Sequence, residues 1–222
     1  MTGFARPGPD GRLRCPWALG VPEYVDYHDS EWGVPVTTSV GLFERLSLEA
    51  FQSGLAWITI LRKREAFRAA FAGFDPGRVA AFDESDVARL LADPGIVRNR
   101  AKITATVANA RVVAGLGDEF AAIILRHAEP DHPRPTGDGD VRSTSPGSVA
   151  MAKELKAAGL RFVGPTTAYA LMQAVGLVDD HLVDCFMPPR FRASEPGASA
   201  TGGAMSEATP SSQRSAGRLR EE

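Results

Sequence analysis

Tyr24-Val-Asp-Tyr-His-Asp-Ser-Glu-Trp-Gly-Val-Pro35, continued by Leu48-Glu-Ala-Phe-Gln-Ser-Gly-Leu-Ala-Trp57, holds two of the three tryptophans and two of the three tyrosines in the chain. The third tryptophan, Trp17, lies just upstream. Aromatic residues make up 8% of the whole, so this is a real concentration. Among the rings sit one histidine, His28, and one carboxylate in an apolar context, Glu49. Aromatic faces beside a lone carboxylate suit a flat ligand that is cationic or hydrogen-bonding. A hydrophobic core that happens to be aromatic is the alternative, and spacing alone leaves both open.

The same stretch sets the fold class. Thr37, Thr38 and Ser39 offer capping hydroxyls, and a helix is expected from about Val40 to Ala56. Leu42, Phe43, Leu46, Ala50 and Trp57 fall on one face at ~100° per residue. Glu49 lies at the edge of that face, either partly desolvated or reaching water. Tyr24 to His28 reads as one or two helical turns entered through Pro22.

Working outward, the pattern stays helical. A second helix is expected over about Ile58 to Phe71, and Asp75-Pro76 and Asp83-Glu84-Ser85 each start a short one. The segment Asp93-Pro-Gly-Ile-Val-Arg-Asn-Arg-Ala-Lys-Ile103 ends one helix, turns, and begins another near Val97. Free N–H groups at that helix start, with Arg98, Arg100 and Lys102 close by, make a candidate anion or phosphate site. Phe120 to His127 reads as a further helix and 128–147 as a loop. Ser145-Pro146 opens a helix that stops at Gly159, and Gly164-Pro165 opens one that stops at Gly176. No internal repeat and no β-alternation is present, so the expected class is all-α. Residues 1–14 read as a mobile lead-in, 15–187 as one domain, and 188–222, dominated by Ser, Ala, Gly, Pro and Arg, as a disordered tail.

Composition narrows the setting. The 222 residues are 44% apolar and 23% charged, as in a globular domain. A net charge of −2 gives no overall basic signal, although a local patch can hide in a neutral total. No apolar run is long enough to span a membrane, and no secretory signal opens the chain. The expectation is an intracellular, cytoplasmic protein with no membrane partner.

The two cysteines, Cys15 and Cys185, lie close in sequence to histidines. Cys15 precedes His28 by thirteen residues and His181 precedes Cys185 by four. Two Cys and two His are a complete donor set for tetrahedral Zn2+, and thiolate with imidazole favours zinc over magnesium or calcium. Such a closed site would be structural and would join the two ends of the domain. The other reading is two unrelated buried thiols and two surface histidines. His127 and His132 are expected in solvent, without a role.

Several stretches resemble the bacterial DNA-3-methyladenine glycosylase I family, within the helix-hairpin-helix glycosylase superfamily. They are Cys15-Pro-Trp17, Tyr24 to Pro35, Leu48 to Leu61, Gly95 to Ile103, Arg161-Phe-Val-Gly164 and Met172 to His181. The resemblance spans about 15–187. It implies an all-α helix-hairpin-helix fold with a structural zinc on Cys15, His28, His181 and Cys185. It implies a base pocket of Tyr24, Tyr27, Glu49 and Trp57, with Glu49 as the catalytic carboxylate; Trp32 is read as packing. It places Gly54-Leu55 against the gap left by a flipped nucleotide, and the DNA-gripping hairpin at about Pro94–Ile103, with Gly95, Val97, Arg98, Arg100 and Lys102 at the DNA. The implied activity is monofunctional hydrolysis of the N-glycosidic bond of 3-methyladenine in alkylated double-stranded DNA, carried out by a monomer. The superfamily's catalytic aspartate has no counterpart here, and Asp179 and Asp180 abut a zinc ligand. A lesion-binding module without turnover is the alternative. A catalytic zinc hydrolase is disfavoured because four protein ligands leave no position for water.

Overall fold

The computed structural model describes residues 4–189. Nine α-helices dominate the described residues: α1 Pro22–Ser30, α2 Ser39–Gln52, α3 Trp57–Ala70, α4 Pro76–Ala80, α5 Glu84–Ala92, α6 Arg100–Leu116, α7 Asp118–Leu125, α8 Pro146–Ala157 and α9 Pro165–Ala174. The expected disordered tail falls, from residue 190 onward, outside the described residues.

The central element is α2. It packs against α3, α6, α7 and α9, and every residue from Leu46 to Phe51 is buried. Neighbours on several sides erase the one-sided pattern expected of a surface helix. Its start follows from Thr38, whose hydroxyl accepts the Gly41 N–H. Its end comes four residues earlier than Ala56. Ser53 leaves helical geometry and Gly54 adopts φ +82°, a left-handed conformation that glycine takes without a Cβ penalty. Beneath α2, Phe51, Phe67, Phe71 and Phe74 form one aromatic core, with Phe51 and Phe67 ring centres 4.7 Å apart and Phe71 stacked on Phe74 at 5.5 Å.

Capping chemistry places the remaining helices. Asp75 caps α4 and Ser145 caps α8. Asp83 accepts the N–H groups of Ser85 and Asp86 while Asp86 accepts from Asp83, a reciprocal box at the start of α5. Asp83→Ala is expected to lower stability by about 1 kcal/mol, read as a fall in urea midpoint at unchanged slope. An unchanged midpoint would show that the cap contributes nothing. The helix expected to begin near Val97 begins instead at Arg100, because the Asn99 side chain accepts the Lys102 N–H and fixes the start there.

The lead-in is also more structured than its composition suggests. Arg6–Pro7 pairs with Leu13–Arg14 in a short antiparallel hairpin. Leu13 O accepts the Phe186 N–H, and Asp184 Oδ1 accepts the Ala5 N–H. Arg14 is only 3% exposed and lies between the carboxylates of Asp10 and Asp29. These partners sit far away in the sequence, which is why a Gly- and Pro-rich opening conceals them. No helix among the described residues is long and apolar enough to cross a membrane.

Candidate active site

A cavity of about 270 Å³ opens between α1, α2, the start of α3 and α9, near the lower end of the size range for ligand sites. Trp17, Tyr27, Trp32, Glu49, Gln52 and Trp57 line it on one side, Gln173 and Asp180 on the other. Tyr27 is buried with its ring 5.5 Å from that of Trp57. Burial, followed by the nearby Glu49, pushes the Tyr27 hydroxyl well above its ordinary value, so Tyr27 stays a neutral donor.

Glu49 is 7% exposed. Burial pushes its carboxyl up to about 8, opposed only by the positive charge of Arg45. No hydrogen bond reaches it among the described residues. The indole Nε1 of Trp57 is likewise buried without a partner. Buried polar groups are ordinarily satisfied. A desolvated carboxylate and an orphaned donor on one cavity wall therefore mark a place where a ligand completes the hydrogen bonding.

Tyr24 stands elsewhere. It is not on the cavity wall. Its hydroxyl accepts the Ile58 N–H at 2.9 Å, supplying the cap that Ala56 cannot give to α3. Trp32 is more than packing, since it faces the cavity. Asp180 is fully buried and accepts from the Tyr169 hydroxyl, the Gln173 amide and His132 Nε2, each within 2.8 Å. This removes His132 from solvent, contrary to expectation, and fixes Gln173 on the cavity wall. His127 is also engaged, with Glu154 at 2.8 Å.

Beside the cavity, Cys15, His28 and Cys185 each point one donor atom into a common space, all within 4.8 Å of one another. His181 is outside this triplet, but its ring centre is 5.0 Å from that of His28, and its Nε2 is buried without a partner. Both imidazoles are backed in the same way. His28 Nδ1 meets Asp29, which Arg14 holds. His181 Nδ1 meets Asp179, which Arg134 holds. Each ring thus directs Nε2 inward, the orientation found in metal-binding histidines. Two thiols, one aligned imidazole and one orphaned Nε2 fit a soft cation.

The residues expected at DNA divide by environment. Gly54 and the 38%-exposed Leu55 form the turn between Gln52 and Trp57, at the cavity edge. Arg98 points outward, and Arg100 is exposed with Glu84 as a partner at 2.6 Å. Gly95 is not a free anion donor, because its N–H is bonded to Asp93 Oδ1 at 2.7 Å. A Cβ there would lie 2.9 Å from Ala66 Cβ, so glycine is needed for close packing. Val97 packs against the core. Lys102 turns inward, donating to Phe51 O at 2.9 Å and Ser53 O at 2.6 Å.

The profile of the methyladenine glycosylase family matches residues 17–188, which hold all the cavity residues named above. The chain belongs to the methyladenine glycosylase family. It is 45% identical over 182 residues to DNA-3-methyladenine glycosylase 1 of Escherichia coli K12, covering 79% of this chain and 97% of that protein. A crystal structure of a 3-methyladenine DNA glycosylase I superposes with TM-score 0.75 at 46% identity, covering 78% of this chain and 98% of the other. A variant of a 3-methyladenine DNA glycosylase I solved in complex with 3-methyladenine gives TM-score 0.74 at 32% identity, over 81% and 98%.

Within this methyladenine glycosylase, sequence reasoning missed Trp17, Gln52, Gln173 and Asp180 as cavity residues. Trp17 was within reach as the third tryptophan of the cluster, its ring 5.0 Å from Trp32. Gln173 and Asp180 carried no local signal.

Proposed function

We infer that this chain excises 3-methyladenine from alkylated double-stranded DNA by hydrolysing the N-glycosidic bond, as the first step of base-excision repair. The observation that carries the reading is the buried, unpartnered Glu49 carboxylate in a small aromatic cavity with an unpaired Trp57 N–H. Methylation at N3 makes adenine cationic and weakens its glycosidic bond, so the base leaves as a neutral species without a general acid. The protein's task is then to extrude and hold the base. Tyr27, Trp17 and Trp57 offer ring faces to a cation, worth ~0.5–2 kcal/mol. Glu49 accepts from the adenine amino edge and favours the positive charge. Water attacks the sugar.

Monofunctional hydrolysis agrees with the state of the nearby lysines. Lys102 is held by two carbonyls and Lys63 by Pro94 O, which leaves neither free as an amine nucleophile. We assign α5, the Asp93–Asn99 connection and the first turn of α6 as the hairpin that takes DNA phosphate, with Arg98 and Arg100 outermost. Leu55 fills the gap left by the extruded nucleotide. Zn2+ held by Cys15, His28, His181 and Cys185 would be structural, neutralising two thiolates and fixing both ends of the domain.

The test is chromatography of free bases released from methylated duplex DNA by the purified protein. Release of 3-methyladenine is expected. Retained binding to alkylated or abasic duplex with no released base would favour a lesion-binding module instead. Leu55→Gly is expected to slow release from duplex by about fivefold, the equivalent of ~1 kcal/mol of apolar contact. Equal rates for the two proteins would remove Leu55 from the gap-filling role.

A further inference from the structure

The α2–α3 turn carries more constraint than a loop joining two helices requires. Gln52 Nε2 donates to Leu55 O at 3.0 Å and closes the turn from inside. From outside, the Lys102 ammonium reaches the carbonyls of Phe51 and Ser53, the last helical residue but one and the cap of α2. Those carbonyls have no intrahelical partner, and a cation there is favoured by the helix dipole. Lys102 itself sits in the first turn of α6, two residues beyond the exposed Arg100. Lys63 makes a parallel tie from α3 to Pro94 O, on the connection that precedes α6. One side chain therefore joins the start of α6 to the turn that carries Leu55 between the cavity residues Gln52 and Trp57.

We propose that Lys102 is a positioning residue for base excision: it locks the Ser53–Ala56 turn to the start of α6, so that backbone grip at α6 and insertion of Leu55 act as one rigid unit. This rests on the excision reading above. It departs from the expectation that Lys102 contacts phosphate, since a side chain held by two carbonyls is already engaged within the protein.

Phosphate contact and internal strut predict different measurements. A lysine on phosphate, once removed, weakens binding and lowers the slope of log affinity against log salt by about 1. A strut, once removed, leaves that slope unchanged and slows the step after binding. For Lys102→Met, single-turnover release from methylated duplex at saturating protein is expected to fall about tenfold, less than the ~10²-fold that a misplacement of about 1 Å caused by a distant mutation can cost. The salt slope on an abasic-analogue duplex and the affinity for free 3-methyladenine, read by tryptophan fluorescence, are expected to match wild type. If Lys102→Met does not fold, Lys102→Arg carries the test. Its charge is retained but its reach to the two carbonyls is altered, so a strut gives a slower rate at unchanged slope. Wild-type release by the variant that folds overturns the proposal, as does a lowered salt slope or an equal loss of free-base affinity. Failure of the wild-type protein to release base would overturn excision itself and this inference with it, whereas a defect confined to variants bears on Lys102 alone.

Discussion

Glu49→Gln is expected to slow release of 3-methyladenine from methylated duplex by roughly 10- to 150-fold, the rate equivalent of a charge-assisted hydrogen bond of about 1.5–3 kcal/mol. The substitution keeps the size and one acceptor but removes the charge that favours a cationic base. Its pH signature is as informative as its rate. Burial pushes Glu49 up to about 8, so below that pH the empty site keeps its proton and a cationic base must displace it. Wild-type kcat/KM should therefore rise with pH toward about 8, and Glu49→Gln should flatten that limb. Stability moves in the opposite sense. Between the ordinary carboxylate value and about 8, the unfolded chain has released a proton that the folded protein retains, so stability falls as pH rises through the window. Glu49→Gln should then be more stable than wild type at pH 8, by an amount on the order of a few kcal/mol, and nearly equal to it near pH 4. Equal release rates for the two proteins, or parallel stability profiles, would end the assignment.

Removal of the proposed zinc is expected to have the larger structural effect. Cys185→Ser, or prolonged chelation of the wild type, should abolish bound zinc and lower stability by more than about 4 kcal/mol, the linkage due to a ligand held at a thousandfold excess over its Kd. Cys15 and Cys185 are both buried beside His28. Without a cation these thiols cannot both ionise: Cys185 together with burial raises Cys15, while Cys15 and His28 draw Cys185 down. Metal content by atomic emission and thermal unfolding read the two effects together. Fold and activity should disappear in step. Lost activity with an intact fold would make the metal catalytic instead, and an unchanged melting temperature with no metal would remove it from the structure.

What could be read from the chain depended on how local its physical cause was. Helix starts at Asp75, Asp83 and Ser145 were legible because a cap is a contact within three residues. Glu49 stood out because a carboxylate in an apolar helix needs a reason. Cys15 and Cys185 stood out because the chain has no other cysteine. Their joint position with His28 is now visible, while His181 stands just outside that triplet. The less legible features are long-range. Asp180 holds Gln173 to the cavity through a network that includes His132, and nothing within a few residues of His132 announces Asp180. Tyr24 looked like a ring for stacking, yet its hydroxyl serves a helix that begins over thirty residues later. The direction of Lys102 was hidden for the same reason, since an exposed lysine and an inward one have the same neighbours in sequence.

The cluster joining Cys15 and His28 to Cys185 also fixes an order of events. A chain made from its N-terminus has both early donors, and all nine helices, before residue 185 appears. Closing that loop costs chain entropy that grows only slowly with length, so the obstacle is timing rather than distance. The helices can pack as they emerge, but the clasp between the N-terminal hairpin and Phe186 cannot form until residue 186 has been made. Cation capture by the proposed site would thus have to wait for residue 185, and a chain truncated before Cys185 would hold its cavity residues without the fastening that keeps the two ends of the domain together.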